Sequence, residues 1–131
     1  MSKSDEPVTG SGPRGAAVRF DFADYMRRKN AWSIETFGPT QQVSGVLNHI
    51  RKELDEVAAD PGDVIEWADL IMLATDGAYR AGHSPDDICS ALEAKLVICR
   101  ARNWPDWQTL SHDQPIEHIK PDPTEQSEEQ Q

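Results

Sequence analysis

The sequence predicts an all-α protein, an antiparallel helical bundle, on three observations. Apolar residues recur at helical spacing through the middle of the chain, Pro and Gly punctuate the intervals, and no stretch alternates apolar with polar as a half-buried strand does. The first segment runs from about Gln42 to Ala58, where Val43, Val46, Leu47, Ile50, Leu54 and Val57 form one face. Asp60-Pro61-Gly62 should end it. The second segment starts at Asp63 as N-cap and reaches about Ala81, with Gly82 as its terminating glycine. Its apolar residues, among them Val64, Ile65, Trp67, Ala68 and Leu70 to Ala74, point in nearly every direction, which predicts a central, buried helix. The third is capped by Ser84, carries Pro85 at its first position and acids in its first turn, and extends to about Asn103 before Pro105. A shorter helix is expected over Phe22 to Lys29.

Both ends are polar. Residues 1–19 mix Gly, Pro, Ser and charge and read as a flexible arm; residues 121–131 read as an acidic, disordered tail, leaving 20–120 as the folded domain. A chain of 131 residues with 37% hydrophobic content holds one small core, and small cores are often completed by oligomerisation, so a homo-oligomer is expected. The formal charge of −10, with 23 acidic against 13 basic residues, argues against nucleic acid as a partner. It permits a phosphate-bearing substrate if metal ions bridge the charges. No apolar run approaches the roughly 20 residues of a membrane span, and no secretory leader is visible. Cys89 and Cys99 would be about 15 Å apart along a helix, too far to bridge, so reduced thiols and a cytoplasmic setting are expected.

The chemistry lies where charge interrupts these faces. Glu53 and Glu56 are three residues apart, about 60° around a helix, at one border of an apolar stripe. Glu66 and Asp69 repeat the spacing on the mostly apolar second segment. Paired carboxylates repel unless a cation lies between them. Two such pairs on facing helices offer all-oxygen ligands, which suit Mg2+ or Mn2+ rather than Zn2+. An E-x-x-E alone is usually a solvated helix border; the second pair on a hydrophobic helix raises metal binding to an even contest. Asp76 reads as a helix-end hydrogen-bonding group or as support behind the ligands. On the third segment, Lys95 falls within the face of Ile88, Ala91, Leu92, Leu96 and Cys99, and Arg102 lies two turns on. Lysine can snorkel from such a face. Two cations there in so acidic a chain answer an anion better, and a metal-held polyphosphate is the anion expected.

These residues resemble a known family. The stretch from Trp32 to Trp107 is similar to the MazG-like all-α NTP pyrophosphatases, in particular their phage-associated dATP/dGTP diphosphohydrolase branch. The shared features are Glu53-Leu-Asp-Glu56, Glu66-Trp-Ala-Asp69, Trp32-Ser-Ile-Glu-Thr-Phe-Gly-Pro39, Asp76-Gly-Ala-Tyr-Arg-Ala-Gly82, and Lys95 through Arg102-Asn-Trp104-Pro105. The resemblance implies cleavage of a purine (deoxy)nucleoside triphosphate between its α and β phosphates. Glu53, Glu56, Glu66 and Asp69 would hold two or three Mg2+ or Mn2+ ions, and Glu53 or Glu56 would take the proton of the attacking water. Lys95 and Arg102 would steady the phosphates, Trp32 and Phe37 would stack on the base, and Ser33 would contact base or sugar. It also implies a dimer or tetramer, the host cytoplasm if the protein is phage-encoded, and a role in supplying dGMP for a 2-aminoadenine DNA precursor. The chain departs from the family in carrying Cys99 where an Asn is common, which removes a donor and an acceptor.

The residues also bear on other readings. A di-iron bundle wants Glu-x-x-His pairs, and none of the histidines provides one. His112-Asp113 falls after the last helix, without partners for an HD-type phosphohydrolase. A non-catalytic helical oligomerisation module, and a pyrimidine-directed (dUTP or dCTP) pyrophosphatase, stay open on the residues alone.

Overall fold

The computed structural model describes residues 19–122, whose regular elements are helical. Four α-helices follow in order: α1 (Phe22–Phe37), α2 (Val43–Ala59), α3 (Val64–Arg80) and α4 (Pro85–Ala101), with a 3-10 turn at Trp107–Thr109. The described residues contain no strand, only an isolated bridge between Asn103 and Ile119. The all-α expectation holds. The arm expected over residues 1–19 and the tail expected over 121–131 fall almost wholly outside the described residues.

The chain divides into two compact units, one reaching to Cys89 and the other beginning at Ser90. In the first, α2 and α3 form a short-looped antiparallel hairpin, and α3 packs on both α2 and α1. The hairpin turns where Pro and Gly were expected to stop a helix. The Asp60 amide bonds back to Glu56 and Val57, the Trp67 indole donates to the Pro61 carbonyl at 2.9 Å, and the Asp63 side chain caps Ile65 at 2.9 Å. At the far end of α3, Gly82 takes φ +112°, and the amide of His83 reaches back to the Ala78 carbonyl at 3.1 Å. Gly77 lets the hairpin close, since a β-carbon there would meet Val46 Cγ1 at 3.1 Å.

Two expectations are corrected. The helix expected over Phe22 to Lys29 continues eight residues further, to Phe37, stopping only where Gly38 adopts φ +94° ahead of Pro39. Its buried positions, Met26, Lys29, Asn30 and Ser33, have helical spacing but are mostly polar, so hydrophobic periodicity does not reveal them. Nor is α3 buried all round: of its residues only Thr75, Asp76 and Arg80 are buried, while Val64, Ile65 and Ile71 lie open. Buried apolar side chains among the described residues are Met26, Val46 and Val57, so the interior of the first unit is largely polar.

In the second unit α4 ends at Ala101, two residues before its expected limit, and no α4 residue is buried. Ser84 caps the start of this helix, its hydroxyl accepting from the Asp87 amide at 3.1 Å. Beyond the helix, the Trp104 indole donates to the Cys99 carbonyl at 2.7 Å. Cys89 and Cys99 are free thiols. No described helix is long and apolar enough to cross a membrane.

Candidate active site

The α2–α3 hairpin brings together residues separated by the turn. Carboxylate oxygens of Glu53, Glu56 and Glu66 lie within 4.8 Å of one another. Glu53 is 4% exposed, Glu66 half-buried and Glu56 exposed. Asp69, one turn beyond Glu66, stands outside that tight group, yet its charge acts on Glu53 and it lines the same pocket. Glu53 Oε2 is buried with no hydrogen-bond partner. Burial first, and then the neighbouring Glu66, Glu56 and Asp69, push the Glu53 carboxyl up to about 7. A buried oxygen without a donor, faced by further carboxylates, is the arrangement that a divalent cation completes. Its hard oxygen donors suit Mg2+ or Mn2+.

A pocket of about 460 Å3 opens beside these acids. Its walls include Glu53 and Asp69 at one part, and Trp32, Ser33 and Phe37 of α1 at another. The Trp32 and Phe37 rings meet edge to face, centroids 5.4 Å apart, and both are more than half exposed. The expected aromatic surface is therefore open rather than spent in a core. Ser33 is placed differently from its expected role. It is 1% exposed, and its hydroxyl accepts from Arg80 Nη2 at 2.8 Å, so it faces the buried ionic network.

Asp76 lies within α3 rather than at its end, and it anchors a buried ionic network. Arg80 Nε donates to Asp76 Oδ2 at 2.9 Å, and Lys29 Nζ approaches Oδ1 at 3.5 Å. Arg80 also donates to the carbonyls of Ser33, Gly38 and Thr40. It thereby ties the loop after α1 to the end of α3. Burial alone would raise the Asp76 pKa, but hydrogen bonds from Arg80 and Ser33 and the charge of Lys29 hold it below the usual carboxylate value. Lys29 is shifted down by burial, which outweighs the attraction of Asp76.

Lys95 and Arg102 belong to the second unit, Lys95 exposed on α4 and Arg102 half-buried just past its end. Sequence reasoning missed Lys29, Arg80, Gln42 and His49 as pocket residues. His49 was findable, being one helical turn before Glu53. Arg80 was findable as the partner of Asp76 at i+4 on an apolar helix. Gln42 carried no local signal; it lines the pocket because its backbone takes a left-handed φ of +47° and its Nε2 donates to the Phe37 carbonyl at 2.8 Å.

The chain is similar to known proteins in sequence and in fold. A family model described as dATP/dGTP pyrophosphohydrolase matches residues 25–125. The Eaa protein of Salmonella phage P22 is 41% identical over 112 residues, which are 85% of this chain but 34% of that protein. The dATP/dGTP diphosphohydrolase of cyanophage S-2L is 37% identical over 76 residues, 56% of this chain and 69% of the relative. A solved structure of the cyanophage S-2L MazG-like pyrophosphohydrolase, bound to dGDP and three catalytic Mn2+ ions per active site, superposes with a TM-score of 0.63 at 28% identity. It covers 78% of this chain and 100% of the neighbour. The chain belongs to the dATP/dGTP pyrophosphohydrolase family.

Proposed function

We propose that the protein hydrolyses purine deoxynucleoside triphosphates, dGTP and dATP, between the α and β phosphates, giving the monophosphate and pyrophosphate. The observation that carries this reading is the buried, partnerless oxygen of Glu53 inside the cluster with Glu56 and Glu66. The family match and the neighbour's dGDP and Mn2+ support it. Glu53, Glu56, Glu66 and Asp69 are the residues that would hold Mg2+ or Mn2+, two or three per site. Such ions, when bound, offset phosphate charge and lower the pKa of water.

The chain's own groups do the rest. A carboxylate oxygen of Glu53 or Glu56 accepts the proton of the attacking water. Trp32 and Phe37 present π faces to the base, and the pocket they line lies within the size range of nucleotide-like ligands. Ser33 shapes the wall and leaves the edge of the base to other groups. Lys95 and Arg102 bind phosphate oxygens, Arg102 with its planar fork. The open apolar faces of α3 and α4, with Ile65, Ile71, Leu92 and Leu96 exposed, support assembly as a homo-oligomer. A phage protein of this activity would work in the host cytoplasm and supply dGMP for a 2-aminoadenine DNA precursor.

The test is a panel of nucleoside triphosphates with Mg2+ or Mn2+, reading monophosphate and pyrophosphate. Turnover of dGTP and dATP is expected, with little of dUTP or dCTP. Asp69→Asn should abolish turnover while leaving the helical signal intact. Orthophosphate as product, or silence with every nucleotide and both metals, would overturn the reading.

A further inference from the structure

We propose that the second unit carries a binding site for condensed phosphate, in which His118 and Lys120 join Lys95 and Arg102. The proposal rests on the reading of Lys95 and Arg102 as phosphate-binding, and it adds a segment that the sequence motifs leave unused. Lys95 lies on α4 about 9 Å of helical rise before its last residue, Ala101, and Arg102 follows directly beyond that end. The chain then returns. The Ile119 amide donates to the Asn103 carbonyl at 2.7 Å, an antiparallel bridge next to Arg102. This bridge brings the two residues flanking Ile119, His118 and Lys120, to the end of α4. The Trp104 and His118 rings meet edge to face at 5.9 Å, and the Trp104 indole is itself fixed to the Cys99 carbonyl.

The gathering is electrostatically one-sided. Desolvation first, and then the charges of Arg102, Lys120 and Lys95, hold the His118 imidazole below its ordinary pKa; Glu117 acts weakly the other way. Among the described residues none of these three cations makes an ion pair with a carboxylate, although the chain carries a formal charge of −10. Cations held together with only the weak opposition of Glu117 are costly, and an oxyanion supplied from outside removes that cost. A spread of about 9 Å suits linked phosphoryl groups better than one phosphate. The ligand class is therefore a diphosphate unit, either free pyrophosphate or the phosphate end of a nucleoside triphosphate.

Titration of the full chain with inorganic pyrophosphate in excess chelator tests this without the acidic cluster or its metals. Saturable binding is expected. His118→Ala and Lys120→Ala should each weaken it by about tenfold, as charged hydrogen bonds typically contribute. Arg27→Ala, an exposed cation of α1, should leave it unchanged. Circular dichroism of each variant guards against loss of fold. Displacement of pyrophosphate by dGTP would identify the anion as the nucleotide's phosphate end, and its absence would identify free pyrophosphate. No binding under chelator, or equal affinity in all variants, overturns the site. Failure of the proposed reaction reads differently: pyrophosphate still binds and both variants still weaken it, but no nucleotide is cleaved.

Discussion

Two buried carboxylates of the first unit, Asp76 and Glu53, share a pocket and differ in everything that decides their chemistry. Asp76 is 9% exposed and faces Arg80 at 2.9 Å and Lys29 at 3.5 Å. Glu53 is 4% exposed, and its nearest charged company is Glu56, Glu66 and Asp69. Burial pushes both pKa values up, but the cations of Asp76 reverse the shift while the acids around Glu53 add to it. One carboxylate is neutralised by its own chain. The other has only carboxylates for charged company, and that contrast is why a divalent cation is proposed at Glu53 rather than at Asp76.

The comparison breaks most visibly at Glu53. Glu53→Gln keeps the shape and removes the charge that a divalent ion would need. Loss of turnover should exceed the roughly 100-fold that changes behind a metal site cost. Mn2+ is expected to raise the melting temperature of the parent protein, and that rise should shrink in the variant, because it measures binding to the folded state. A variant with near-parent turnover and an unchanged Mn2+ response would remove Glu53 from the site.

Asp76→Asn should act in the opposite way. It strands Arg80 and Lys29 as buried charges, and breaking such a pair typically costs about 3 kcal/mol. Urea unfolding should show that loss, while the Mn2+-dependent rise in melting temperature persists. The contribution of Asp76 is present above the unfolded value of 3.8 and is lost as pH falls through its lower folded value. An Asp76→Asn protein as stable as the parent at neutral pH would show that the network is not structural.

The difference between these acids also explains what the sequence could show. The helices α2, α3 and α4 were legible because apolar patterning agreed with the Pro and Gly stops and, at α3 and α4, with the N-caps Asp63 and Ser84. The pairing of Glu53, Glu56 and Glu66 was legible because i, i+3 acids beside apolar faces are anomalous. The continuation of α1 past Lys29 was not, since its inward face carries Lys29, Asn30 and Ser33 rather than hydrophobics. Arg80 was legible only in part, through its i, i+4 spacing to Asp76. Its partners include backbone carbonyls at Gly38 and Thr40, about forty residues away, which no local pattern encodes. The contact of Ser33 to base or sugar came from the resemblance alone; one position around a helix turns a side chain by about 100°, so Ser33 is buried while its neighbour Trp32 is open.

The smallest effect is the sharpest test of the contrast. Glu53 titrates near 7 in the metal-free fold against an ordinary value of 4.5, so between these values the folded state binds more protons than the unfolded chain. Its contribution is therefore most favourable below 4.5 and is lost as pH rises through about 7. Glu53→Gln carries no such charge. In chelator, the melting temperature of the variant should match the parent below 4.5, pull ahead as pH rises from 4.5 to about 7, and hold a constant lead beyond it. Added Mn2+ should reverse the order at the alkaline end, since only the parent offers the full carboxylate set. A pH-independent difference between the two proteins would mean that burial and the acids around Glu53 do not raise its pKa, and the contrast with Asp76 would lose its electrostatic basis.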